Sequence, residues 1–315
     1  MGFLISGGAM ADFWQFVMIG LVTGSLYALI ALGYTMVYGI IELINFAHGD
    51  LFMLGSFLAL TLCGPAVLAV TAASGTGAAG LAILVMLIAC PLFCATLNVT
   101  VDRVVYKPLR NAPKLAPLVS AIGVSFIFMN IGLFWHGTYD LNFPNLVGQE
   151  NLTPDLGVKI TYKDLMVLGI TIPVMFALTA FVRYTPLGKA MRATAQNPKA
   201  ASLMGINVDR VIAATFAIGG ALAGVAAVVY GLYNNTVSYQ MGFQNGLYAF
   251  TAAVLGGIGN IPGAVLGGLV IGLVRSLGSG YIDEKWTEAL IFVILIVILI
   301  FRPNGLLGAR VREKV

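Results

Sequence analysis

Apolar residues in this chain arrive in runs of bilayer length, and no other feature limits the fold so sharply. The runs lie near 13–34, 44–63, 80–102, 115–135, 165–183 and 211–232. They continue as a glycine-broken pair at 246–258 and 261–278, and end at 287–301. A helix that crosses the hydrocarbon core needs about 20 mostly apolar residues. Inside lipid, backbone N–H and C=O groups must be satisfied by the chain itself, which leaves helices or closed barrels. Runs of this length read as helices. The expected fold is an all-α polytopic membrane protein with about eight transmembrane helices and a glycine-broken or re-entrant hairpin near 246–278. The whole of 1–315 reads as a single transmembrane domain. With 17 basic and 13 acidic side chains among 315 residues, the chain is far below the roughly 25% charge of a soluble domain. A water-soluble enzyme is excluded.

The few charges are unevenly placed. Arg103, Lys107, Arg110 and Lys114 fall in 102–114; Arg183, Lys189, Arg192, Lys199 and Arg210 fall in 183–210; Arg302, Arg310, Arg312 and Lys314 fall in 302–315. These segments hold 13 of the 17 basic residues. Lys and Arg collect on the cytoplasmic side of a membrane, so the loop 184–210 and the tail 302–315 are expected inside. The loop 136–164, with Asp140, Glu150, Asp155 and Asp164 against two lysines, is expected outside, as is the short acidic loop 279–287. Counting spans back from Arg103 places the N-terminus outside. No Lys or Arg precedes Arg103, so the start has neither the basic n-region of a signal peptide nor a presequence. Met1-Gly2 with Ser6 fits a myristoylation pattern formally, and Met10 is an alternative start.

Catalytic motifs are missing. Gly188-Lys189 is followed by Ala190 and lacks the glycine loop of a phosphate-binding G-x-x-x-x-G-K-[ST], so the chain does not hydrolyse ATP by itself. His48 and His136 stand far apart, and neither H-E-x-x-H nor G-x-S-x-G occurs. Gly257, Gly259 and Gly263 miss the dinucleotide spacing, because Pro262 stands where the third glycine belongs. Cys63, Cys90 and Cys94 lie in apolar context and read as packing residues. No metal site, cofactor site or nucleic-acid surface is expected.

Three features carry functional content. In the basic loop, Thr185-Pro186 is a helix-start signal, and Leu187, Ala190, Met191 and Thr194 recur on one helical face. Asn197-Pro198 opens a second short helix, for which Gly205 is the expected C′ residue. Two capped helices of this kind suit docking into a groove on another protein, and equally a helix lying at the membrane interface. The second feature is glycine spacing. Gly20 and Gly24, Gly220 and Gly224, Gly259, Gly263 and Gly267, and Gly268 and Gly272 recur every four residues, which lets helix backbones approach closely in lipid. Gly256, Gly257 and Gly259 surround Asn260 and Pro262 at the break. Such interruptions survive only inside protein or beside a water-filled cavity, as in transporter pathways. The third is the polar cluster Glu42, Asn45, His48 and Asp50 between apolar stretches. Ionisable groups within a span are costly and mark pathways or gates, while a plain turn between two spans would also hold them. Arg275, near the outer end of a late span, is expected to snorkel or to meet Asp283 or Glu284.

At these residues the sequence resembles the LivH-type permease subunits of branched-chain amino-acid ATP-binding-cassette importers. The likeness runs through TGSLYALIALGYTMVYGIIELINFAHGD at 23–50, TPLGKAMRATAQNPKAASLMGINVDRV at 185–211, AFTAAVLGGIGNIPGAVLGGLVIG at 249–272 and RPNGLLG at 302–308. It implies a permease of a bacterial inner membrane that moves branched-chain or similar apolar amino acids inward. It implies a homologous second permease, LivM-like, two ATP-binding subunits on the cytoplasmic face that hold ATP and Mg, and a soluble substrate-binding protein outside. The 185–211 loop is then the coupling loop, with Pro186, Leu187, Gly188, Arg192, Ala193, Ala200, Ala201 and Gly205 as its docking residues. Importer permeases more widely carry an EAA-x-x-x-G pattern here; Ala200, Ala201 and Gly205 match it, while Lys199 replaces the Glu. Asn45, His48, Asp50, Gly256, Gly257, Gly259, Asn260 and Pro262 are the candidates for the translocation pathway. No fixed charge pair stands at mid-membrane, which fits a permease whose binding protein supplies the selectivity. The alternative is a stand-alone ion-coupled secondary amino-acid transporter with Asp50, Glu42 and His48 as its proton or cation site.

Overall fold

The computed structural model describes residues 7–64, 76–110, 112–113, 115–153 and 158–308. The myristoylation pattern, Lys114, Asp155 and the end of the tail from 309 on lie outside the described residues. The chain forms α1 (Gly7–Ile41), α2 (Ala47–Leu62), α3 (Thr76–Val101), α4 (Leu115–His136), α5 (Tyr162–Tyr184), α6 (Pro186–Gln196), α7 (Pro198–Leu203), α8 (Val208–Asn234), α9 (Met241–Gly256), α10 (Ile261–Tyr281) and α11 (Glu284–Phe301). A π turn over Asp102–Tyr106 continues α3 toward Leu109. The strands β1 (Leu141–Asn142) and β2 (Thr236–Val237) make a short antiparallel ribbon.

Among the described residues, six helices are long and apolar enough to cross a membrane: Met10–Ile41, Ala79–Leu109, Leu115–His136, Tyr162–Tyr184, Val208–Asn234 and Ile261–Tyr281. The expected count of about eight is not reached: six qualify on length and apolarity, for physical reasons. With 16 residues each, α2 and α9 reach about 24 Å at 1.5 Å per residue, short of the roughly 30 Å of a hydrocarbon core. α11 is long enough but opens on Glu284, Lys285 and Glu288. Burial sorts the spans. α1 and α8 form the centre, with Ala28 to Leu32 and Ala226 to Val229 fully enclosed, whereas α3, α4 and α5 turn Leu92, Phe134 and Phe176 outward as exposed apolar surface.

The glycine spacing becomes helix contact. α1 runs antiparallel along α10, so Gly20 and Gly24 face Gly268 and Gly272. A Cβ on Gly24 would stand 2.9 Å from the Gly268 carbonyl oxygen, and one on Gly272 would overlap the Gly20 oxygen. Here close backbone packing replaces the hydrophobic drive that lipid removes.

All the described basic loops gather at one end of the bundle. Arg110 reaches Asp102 at 2.8 Å and Asp209 at 2.5 Å, and Lys107 reaches Asp209 at 2.8 Å, which ties the end of α3 to the start of α8. The α9–α10 break falls at the same end, where Gly39 on the last turns of α1 abuts Gly259. The break is the expected hairpin. Gly257 and Gly259 take φ of +104° and +89°. Asn260 accepts from the Gly263 amide to cap α10, beside Pro262 in the first turn. The last carbonyls of α9 are satisfied by the tail: Leu306 N donates to Leu255 O at 2.8 Å and Leu307 N to Gly256 O at 3.0 Å. Asn260 Nδ2 closes the seal on Leu307 O at 2.6 Å.

Candidate functional site

Two helix–break–half-helix units meet inside the bundle. In the first, α1 ends at the basic end, Glu42 turns the chain with φ of +53°, and residues 42–46 run back inward without helix. His48 then lies against Gly33, eight residues short of Ile41 and so about 12 Å inside the end of α1. α2 starts there and runs toward the opposite end, where Thr61 bonds His136 at 3.2 Å. The second unit runs the other way. α8 ends away from the basic end at Asn235, φ +56°, and residues 235–240 turn back. α9 starts at Met241 and runs to the basic end. The first turns of the two half-helices touch: a Cβ on Gly49 would stand 2.9 Å from Gly246 Cα, and one on Gly242 2.9 Å from Asp50 Cα. Tyr38-Gly39 before Glu42 and Tyr230-Gly231 before Asn235 mark the same approach in each.

The predicted polar cluster is split by this path. Glu42 is exposed at the basic end, while Asn45, His48 and Asp50 are buried. Asn45 anchors the inward segment, donating to Asn98 Oδ1 at 3.2 Å and accepting from the Tyr106 hydroxyl at 2.9 Å. Asn98 in turn donates to Phe216 O at 2.7 Å. The His48 ring packs edge-on to Tyr34, 4.8 Å between centroids. Asp50 is 2% exposed; its Oδ2 accepts from the Ser125 hydroxyl, and its Oδ1 has no hydrogen-bond donor among the described residues. Asp50 lines a cavity of about 250 Å³ with Tyr34 and Ser125, walled by Phe46, Phe126, Phe243, Phe250 and other apolar side chains. Gly256, Gly257, Gly259, Asn260 and Pro262 are not brought to it; they form the tail-sealed turn at the basic end. Sequence reasoning missed Tyr34, Asn98, Tyr106 and Ser125. Asn98, an amide inside an apolar run, was the one detectable signal.

The coupling-loop candidates divide in the same way. Thr185 caps α6 through the Gly188 amide, and Asn197 caps α7 through the Ala200 amide. Gly205, φ +84°, closes α7: its N donates to Ser202 O at 3.0 Å and Ile206 N to Ala201 O at 3.1 Å, the paired C-terminal bonds of a Schellman motif. Gly188 and Ala201 are buried against the bundle, with Leu187 and Ala193 half-buried. Pro186, Arg192, Ala200 and Gly205 face outward, and Arg192 bonds Arg183 O at 3.2 Å. At the tip, Leu203 and Met204 stand 89% and 83% exposed. A cavity of about 580 Å³ under this loop is lined by Glu42, Tyr106, Arg110, Thr194, Lys199 and Asp209 among others. Arg275 makes no ion pair among the described residues; it bonds the Tyr27 hydroxyl and lies over the Tyr248 ring at 4.8 Å. A cation between aromatic faces recovers part of its lost hydration, and the expected close pairing with Asp283 or Glu284 does not form.

Long apolar helices around two interrupted ones define a multi-pass membrane protein, built as transporters are, with broken helices inside the bundle. The chain belongs to the family described as the permease component of branched-chain amino acid transport systems, whose model matches residues 16–299. It is 40% identical over 299 residues to the high-affinity branched-chain amino acid transport system permease protein LivH of Salmonella typhimurium, across 94% of this chain and 96% of that protein. It is 41% identical over 302 residues to BraD of Pseudomonas aeruginosa, with the same coverage. A probable LivH of the archaeon Methanocaldococcus jannaschii is 26% identical over 310 residues, 91% of this chain and 90% of that protein. No solved structure matches the chain.

Proposed function

We propose that the chain is one permease subunit of an ATP-driven importer that carries branched-chain or similar apolar amino acids inward across a bacterial inner membrane. The observation that carries this reading is the tip of the α6–α7 loop. Two capped short helices present Leu203 and Met204, nearly fully exposed, on the basic end of the bundle. Two adjacent aliphatic side chains on a capped, outward-facing turn suit insertion into a groove on a partner protein. Two ATP-binding subunits cover this turn and hold ATP and Mg. Their closure pushes on α6 and α7, and through the ion pairs of Asp209 on the end of α3 and the inward segment beside it. The positive-inside rule puts this end and the tail in the cytoplasm, and the N-terminus outside. A soluble binding protein delivers substrate at the opposite end, and a homologous second permease completes the pathway.

The loop tip can be tested directly. Leu203→Glu with Met204→Glu leaves the permease inserted and folded, since both side chains stand more than four-fifths exposed, yet abolishes co-purification of the ATP-binding subunits and ATP-driven uptake in proteoliposomes. Normal assembly and uptake in the double variant sinks the docking assignment. Uptake by this chain alone, driven by an ion gradient, would establish the secondary-transporter alternative instead.

A further inference from the structure

We propose that the cavity at the meeting of α2 and α9 is a substrate subsite of the membrane path, in which the Asp50 carboxylate receives the ammonium group of an aliphatic amino acid. The inference rests on the reading of the chain as an amino-acid permease and assigns the site within it. Three observations converge. The cavity lies where two half-helices begin inside the bundle, away from either end. Its volume of about 250 Å³ far exceeds the roughly 10–15 Å³ of such space that one water needs, and leaves room for one small amino acid. Its walls are aromatic and aliphatic apart from Asp50, Ser125 and Tyr34.

Asp50 decides the ligand's charge. It is an enclosed carboxylate whose Oδ2 is held by Ser125, while among the described residues Oδ1 has no donor and no Lys, Arg or His lines the cavity with it. An ionisable group left half-satisfied inside a bundle calls for a partner of opposite charge. A primary ammonium supplies donors and a cation at once. The first turn of α9, with no side-chain cap at Gln240, begins beside Asp50; Met241 N and Gln244 N bond Ser238 O and Gln240 O, so it is the Gly242 and Phe243 amides that offer the amino acid's own carboxylate a place. Phe126, Phe243 and Phe250 are then left for the aliphatic side chain. Ile122, Phe126 and Phe243 remain exposed on the outer flank of the cavity, the flank a second permease would close. A single carboxylate without a fixed countercharge holds the substrate only while it is present, and so does not trap it.

The experiment uses membrane vesicles that contain the whole transporter, with Ile122→Cys on the cavity wall and a membrane-permeant maleimide. Cys63, Cys90 and Cys94 are buried and give little background. Leucine and 3-methylbutylamine, which keeps the ammonium and loses the carboxylate, are expected to slow labelling. The isosteric acid 4-methylpentanoate, which lacks the ammonium, is expected not to. In Asp50→Asn the amine's protection should weaken by roughly tenfold or more, the scale of one lost charged hydrogen bond, and Asp50→Glu should restore part of it. Equal protection by the acid and the amine overturns the proposal, as does unchanged protection in Asp50→Asn or no protection by leucine and amine with Asp50 intact. The comparison of ligands needs no Asp50 variant, so a misfolded Asp50→Asn does not block it. ATP-driven leucine uptake into the same vesicles reports on the importer reading separately. Protection without such uptake keeps the subsite and removes the importer; uptake without protection does the reverse.

Discussion

The breaks at Glu42 and Asn235 meet one geometric demand by different means. Each follows a buried helix, reverses the chain through a left-handed residue, and starts a half-helix inside the bundle. The first is held by side chains: Tyr106, Asn45 and Asn98 form a buried relay that ends on the Phe216 carbonyl. The second is held largely by backbone. β2 pairs with β1, Phe143 N donates to Asn235 O at 2.8 Å, and Lys163 Nζ donates to Asn235 Oδ1 at 2.6 Å. The side-chain-held break lies against the π turn and ion pairs at the basic end, where the ATP-binding subunits are proposed to act. The backbone-held break sits at the far end. A relay of side chains can switch partners during a transport cycle, whereas a strand pair resists it. If the permease moves as proposed, this difference puts the moving element at the first break and the fixed one at the second.

The largest effect is expected where the breaks touch. Leu at Gly49 or at Gly242 drives a side chain into the backbone of the other half-helix, since even a Cβ on Gly242 stands 2.9 Å from both Asp50 Cα and the Gly49 oxygen. Backbone cannot yield as a flexible side chain does, which places this overlap in the severe class of core substitutions, beyond about 4 kcal/mol. Each variant should fail to accumulate as a monodisperse protein in detergent on size-exclusion chromatography. Because they disrupt the same contact from its two sides, the double variant should look no worse than either single one. A folded Gly49→Leu would show that the half-helices do not meet.

Most of the span pattern was legible because bilayer length is a strong constraint written into contiguous residues. Gly20, Gly24, Gly268 and Gly272 were legible as close-packing residues too, although their pairing with one another was not, since a four-residue spacing does not name its partner. The polar cluster was read as one group. Its division into an exposed Glu42 and a buried Asn45, His48 and Asp50 depends on the chain doubling back after α1, and nothing local in the sequence signals that depth. Ser125 stayed hidden because one hydroxyl in an apolar helix usually bonds its own backbone, as Thr171 does to Val167. The glycine break at 256–262 looked like a pathway element. Its sealing by the 304–308 tail is a contact between segments about 50 residues apart in sequence, beyond any local reading.

A middle-sized effect separates the two kinds of anchor. Asn98→Ala strips Asn45 of its acceptor and removes the donor to Phe216 O inside the bundle. Leaving buried polar groups unpaired costs roughly 1–3 kcal/mol. The thermal midpoint in detergent should fall, and ATP hydrolysis should lose part of its coupling to uptake, because the first break is the proposed gate. Asn98→Asp keeps an acceptor for Asn45 but sets a buried carboxylate oxygen against the Phe216 oxygen, so it should be tolerated no better than Asn98→Ala. If Asn98→Ala lowers the midpoint while uptake per ATP is unchanged, the relay is a structural anchor alone and the contrast with the second break disappears.

The smallest effect tests the two left-handed residues themselves. Glu42 and Asn235 have nearly the same φ, +53° and +56°, but unequal reasons to hold it. An L-residue pays about 1–2 kcal/mol in this region, and Asn less than most because its short amide bonds locally. Glycine removes that cost and adds unfolded-chain entropy of about 0.5–1 kcal/mol. At Glu42 the relieved cost is at least as large as the entropy term and no described hydrogen bond of the side chain is lost, so Glu42→Gly should leave the thermal midpoint unchanged or raise it slightly. At Asn235 there is less strain to relieve, and the bond from Lys163 goes with the side chain. A hydrogen bond from a charged donor contributes about 1.5–3 kcal/mol, so Asn235→Gly should lower the midpoint measurably. Lys163→Met should reproduce that loss, and combining it with Asn235→Gly should add little more. If Glu42→Gly proves the more damaging of the two, the first break draws its stability from the Glu42 side chain and not from the Asn45 relay behind it.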